Sequence, residues 1–143
     1  VIILLASVIP LGAALESNGT TEIIVQILTK YASSMEPWLI IAIIMIITMT
    51  LSDILNNTAT TLVIAPISIQ LAQTLNLNAD TFLMAVAVSA SCAFLTPIGH
   101  KNNTIILGPG GYRFGDYWRM GLVLEVLIII ISIPLLLIFW PIN

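Results

Sequence analysis

Apolar arms alternate with short polar joints along this chain, and most of the arms are too short to cross a bilayer alone. A full crossing needs about 20 apolar residues. Val1 to Leu15 falls short of that and predicts the end of a truncated transmembrane helix over 1–15. Residues 16–37 carry Glu16, Glu22, Lys30 and Glu36 around Ile23, Ile24, Ile27, Leu28 and Tyr31. That apolar spacing is helical and one-sided, which predicts an amphipathic helix lying along the membrane surface. Trp38 to Leu51 and Ala59 to Ala72 are two apolar arms, each only about 21 Å long at the helical rise, with Pro66 in the second. A polar stretch, Leu51-Ser-Asp-Ile-Leu-Asn-Asn-Thr-Ala-Thr-Thr61, joins them. Together the arms predict a re-entrant helical hairpin over 38–72. One long kinked helix, or two ordinary spans, is the competing pattern.

The second half repeats the theme. Thr81 to Leu95 is an apolar arm rich in Ala and Ser, small residues that let helices approach closely in lipid. It stops at Thr96-Pro-Ile-Gly-His-Lys-Asn-Asn103 and resumes over Thr104 to Leu107. Pro97 removes a backbone donor there. The pattern predicts a transmembrane helix over 81–107 broken near the bilayer midplane. Gly108-Pro-Gly-Gly111 turns the chain, and Tyr112, Phe114, Tyr117 and Trp118 form an interfacial belt. Residues 121–140 make a final span of full length.

Composition fixes the solvent. Hydrophobic residues make up 59% of the 143 and charged residues 8%, and mean hydropathy is +1.10. A soluble domain is about a quarter charged, so the chain reads as an all-α, multi-pass integral membrane protein. Its net charge of −3 is scattered without a basic patch, which argues against nucleic acid. A single Cys92 and a single His100 cannot assemble a metal cluster or a nucleophile–base pair, so an enzyme is disfavoured. Cys92 reads as a small packing residue. The run at Val1 has no basic leader and is not a signal peptide; a fragment cut within a helix is the expected explanation. Arg113 and Arg119 place their loop in the cytoplasm by the positive-inside rule. The chain end, the surface helix and the mouth of the hairpin are then extracytoplasmic.

Polar joints at membrane depth are costly and persist where they line a cavity or a site. Ser, Asn and Thr oxygens at a hairpin tip suit a small hard cation. Thr58 and Thr60 could instead cap the second arm. Asp53 is either a coupling carboxylate or a brace for the hairpin. His100 and Lys101 could attract a dianion or stand at the cavity edge, and His100 could also carry a proton. Asn18-Gly-Thr20, Asn56-Asn-Thr58 and Asn102-Asn-Thr104 match the glycosylation pattern, but two lie at expected membrane depth and none is assigned that role.

Three ordered motifs, Asn56-Asn-Thr-Ala-Thr60, Ser91-Cys-Ala-Phe-Leu-Thr-Pro-Ile-Gly99 and Gly108-Pro-Gly-Gly-Tyr-Arg-Phe-Gly-Asp116, resemble the divalent-anion:sodium symporters of the citrate-transporter-like superfamily. The likeness covers nearly the whole chain. It implies that residues 1–143 are the C-terminal half of an inverted-repeat transporter, most like the sulfate-permease branch. By position it implies a sodium site at Ser52, Leu55 (through its carbonyl), Asn57 and Gly99 (through its carbonyl). The substrate anion would meet Asn56, Asn57, Thr58, His100 and Lys101. Asn56 stands where the family has serine, and His100-Lys101 stands where the dicarboxylate carriers usually read Thr-Pro. The implied activity is sodium-coupled symport of a small divalent anion, sulfate ahead of di- or tricarboxylates, with sodium as coupling ion and no cofactor. The implied partners are membrane lipid, the N-terminal half and a second copy as a homodimer, in a bacterial-type plasma membrane. An ion exchanger or arsenite-efflux relative, or a non-transporting membrane subunit, are the alternatives.

Overall fold

A computed structural model describes Pro10 and residues 19–32, 35–55 and 57–142. The expected helix over 1–15 lies outside them. The described residues form six helices and no strand: α1 (Thr20–Ala32), α2 (Pro37–Ile54), α3 (Asn57–Thr74), α4 (Ala79–Ala90), α5 (Lys101–Leu107) and α6 (Phe114–Phe139). Pro37 opens α2, where its missing N–H costs nothing. Among the described residues two helices, α2 and α6, are long and apolar enough to cross a membrane.

The arms run further into the polar joint than expected. Helix α2 continues to Ile54 and α3 begins at Asn57, so only residues 55–56 interrupt them. Leu55 is extended, with φ −96° and ψ 175°, and its N–H donates back to Leu51. The physical reason is that several polar groups of the joint find partners without unwinding the helices: Thr61 Oγ1 donates to the Asn57 carbonyl at 2.8 Å, and Ser52 and Asp53 bond to other elements. Helix α4 does the reverse and ends five residues early, at Ala90.

Helix α4 packs against both α2 and α3, and α1 packs on α3. Ile41, Met45 and Met49 of α2, Leu71 of α3, and Phe82 and Val86 of α4 are fully buried between them. Cys92 is buried too, as its packing role required. On α1 the buried residue is Val25, whereas Ile24 and Ile27 of the expected apolar face are exposed. Between α3 and α4 the chain turns at Asn76, which adopts φ 54° while Leu77 N–H closes onto the Ala72 carbonyl. Asn is the usual alternative to Gly at such a left-handed helix end.

Helix α6 runs antiparallel to α4 and is tied to it at both ends. At one end the Asn78 N–H and Nδ2 donate to Ile142 and Pro141 carbonyls, both at 3.0 Å, and Thr81 Oγ1 donates to the Trp140 carbonyl. At the other, Gly121 lets α6 meet the chain beyond α4: a Cβ there would stand 2.3 Å from the Phe94 carbonyl oxygen.

Candidate functional site

The end of α2, the start of α3 and the break between α4 and α5 meet at one end of the molecule. Ser52 is fully buried. Its Oγ lies 2.7 Å from the Ala90 carbonyl and 3.0 Å from Asn57 Oδ1. A hydroxyl has one hydrogen and can satisfy only one of these acceptors. Around a cation with metal–oxygen distances of about 2.3–2.6 Å, neighbouring ligand oxygens sit roughly 3 Å apart. The Ser52–Asn57 spacing fits that shell, and both donors are the hard oxygens such a cation prefers.

Gly99 is buried against the same helix end. A Cβ added there would lie 2.8 Å from Ala93 Cβ, 3.0 Å from Asp53 Cα and 3.1 Å from the Ser52 carbonyl oxygen. Only glycine permits this approach. Ser52, Asn57 and Gly99 are therefore brought together. Leu55 is the C-cap of α2, beside them in sequence. Thr58 is exposed on the first turn of α3, His100 is the half-buried N-cap of α5, and Lys101 is exposed at its first residue. Asn56 lies outside the described residues.

Side chains of other elements pair several backbone groups of the irregular segment 91–100. Asp53 Oδ1 accepts from the N–H groups of Leu95 at 3.0 Å and Thr96 at 3.2 Å, and Thr96 Oγ1 donates to the Asp53 carbonyl at 2.7 Å. Glu125 Oε1 of α6 accepts from Phe94 N–H at 3.4 Å. Asn103 Nδ2 donates to the carbonyls of Ala93 and Thr96, both at 3.3 Å, and Thr104 Oγ1 donates to that of Pro97 at 2.6 Å. The Gly99 N–H donates to Thr96 Oγ1, and Tyr117 OH donates to the Asn103 carbonyl at 2.9 Å. Non-helical backbone at membrane depth survives when its polar groups are satisfied in this way.

Asp53 thus braces the break, through backbone N–H groups of another element. Glu125, Thr96, Asn103 and Thr104 were not singled out from sequence as partners of the break. For Glu125 a signal existed: an acid in the middle of a long apolar run is a candidate by default.

A family model described as "Citrate transporter" matches residues 1–142. Among curated proteins, an uncharacterized transporter of Synechocystis sp. is 41% identical over 95% of this chain and 22% of its own length. A Chlamydomonas reinhardtii protein whose name ties it to the sulfur deprivation response is 36% identical over 63% of this chain and 15% of its own length. A Caenorhabditis elegans protein named as a sodium-dependent low-affinity dicarboxylate transporter is 29% identical over 92% of this chain and 22% of its own length. The chain spans about a fifth of the length of these relatives.

Proposed function

The chain belongs to the citrate transporter family, and we propose that it forms a C-terminal part of a membrane transporter that couples sodium to the uptake of a small divalent anion. The observation that carries this reading is the convergence of Ser52, Asn57 and Gly99 at the junction of α2, α3 and the helix break. A broken helix exposes carbonyl ends for cations and N–H ends for anions, so one junction can hold both. In this reading α2 and α3 form a hairpin that re-enters the bilayer, α1 lies at the interface, and the rest of the transporter supplies the inverted repeat.

Sulfate is the anion we favour. Lys101 is exposed two residues beyond Gly99, and a compact ammonium suits a small tetrahedral dianion. The Caenorhabditis relative named for dicarboxylate transport favours a second reading, succinate or a similar dicarboxylate.

Uptake of radiolabelled sulfate and succinate by the full-length transporter, with sodium or choline outside, tests both. Sodium-dependent sulfate uptake is the expected result, and Lys101→Gln should raise its Michaelis constant about tenfold with protein abundance unchanged, a loss of about 1.4 kcal/mol. Succinate uptake without sulfate uptake rejects the sulfate assignment, and uptake indifferent to sodium rejects the coupling.

A further inference from the structure

Glu125 of α6 and Asp53 of α2 both reach the helix break. Asp53 is 4% exposed and Glu125 8%. Asp53 uses Oδ1 for the Leu95 and Thr96 N–H groups, while its Oδ2 is fully buried and has no hydrogen-bond donor.

We propose that Asp53 and Glu125 are a pair of positioning residues that hold the 94–96 turn between them, and so press Gly99 against the end of α2. Three consecutive N–H groups, those of Phe94, Leu95 and Thr96, end on this pair. Asp53 belongs to the helix that carries Ser52, and Glu125 belongs to α6. The pair therefore fastens the break simultaneously to the element that carries the cation oxygens and to the long final helix. Neither carboxyl needs to touch the ion. The functional consequence rests on the sodium-site reading above: a loosened 94–96 turn lets Gly99 drift from Ser52 and weakens cation binding.

Glu125→Gln separates this role from the others. An amide at that position can still accept from Phe94 N–H but carries no charge. Glu125→Met has a similar size and cannot accept. In the full-length transporter, Glu125→Gln should keep the half-saturating sodium concentration within twofold of wild type, whereas Glu125→Met should raise it about tenfold. Equal damage from both variants would show that the charge of Glu125 is required, and no damage from either would show that the pair is idle; each overturns the proposal. Hydrogen exchange of the peptide spanning residues 94–96, in the purified transporter without sodium, reads the same clamp with no reference to ion coupling. Slow exchange in wild type and Glu125→Gln is expected, and fast exchange in wild type overturns the clamp even if uptake is sodium-coupled. Should wild-type uptake ignore sodium while those amides stay protected, the coupling reading fails and the clamp stands.

Discussion

Asn57 sits where two demands meet, since its side chain touches Ser52 Oγ while its carbonyl accepts from Thr61. Truncating the side chain removes one oxygen from a desolvated site without touching the backbone bond. We predict that Asn57→Ala weakens apparent sodium affinity at least as much as anion affinity, by about 1–3 kcal/mol, the cost of an unmet buried polar partner. Sodium titration of uptake decides this; an unchanged sodium dependence removes Asn57 from the cation shell. Gly99 tests the neighbouring wall. Two of the atoms that an added methyl group meets there belong to the backbone of Ser52 and Asp53, so side-chain rearrangement cannot relieve the clash. Overpacking costs typically 1–3 kcal/mol. Gly99→Ala should therefore lower the melting temperature of the purified transporter and depress uptake together. Wild-type stability and uptake in that variant would mean that the break is looser than its packing indicates.

At the scale of elements, the two-residue join between α2 and α3 makes a specific topological demand. If these helices re-enter the bilayer, Trp38 and Ala72 share one side of the membrane. Single cysteines at 38 and 72 in a Cys92-free background should then be labelled by the same impermeant reagent from the extracytoplasmic face. Labelling from opposite faces excludes the hairpin. The helices themselves were largely readable in sequence, because apolar runs, Pro37 and the Gly108–Gly111 turn act locally. Their ends near the site were not. Helix α2 outran its apolar run because Ser52 and Asp53 bond to residues 38 to 43 positions away, and no window along the chain reveals a partner at that separation. Helix α4 stopped early for the same reason, since the N–H groups of residues 94–96 are drawn to carboxyls on α2 and α6. Ser52, Asn57 and Gly99 could be found through the resemblance, which carries positions. Glu125 lies outside those motifs; its one signal is an acid within the apolar run 121–140, which fixes no partner 31 residues away at Phe94.

Across the whole molecule, burial is lopsided. Most of the hydrophobic core lies among α2, α3 and α4, while Val123, Leu127, Ile130 and Ile131 of α6 are half exposed or more. A groove of about 550 Å³ between α5 and α6, walled by Phe94, Ile106, Met120 and Leu124, continues that apolar side. In a membrane such a face meets lipid or more protein at little cost, whereas water would penalise it. The bonds at the two ends of the α4–α6 pair have a mechanical consequence. Asn78 and Thr81 pin one end to residues 140–142, and Glu125 with Gly121 pins the other. A beam fixed at both ends resists sliding lengthwise, because a displacement of one helical turn, about 5.4 Å, would shear both fixings at once. Shear between these helices is thus a poor way to open and close the protein, and any hinge must fall outside them. We predict that spin labels on the exposed faces of α4 and α6 keep one narrow distance distribution through the transport cycle, with or without sodium and anion. A distribution that splits on adding them would mean that the fixings yield and that the two helices move as separate parts.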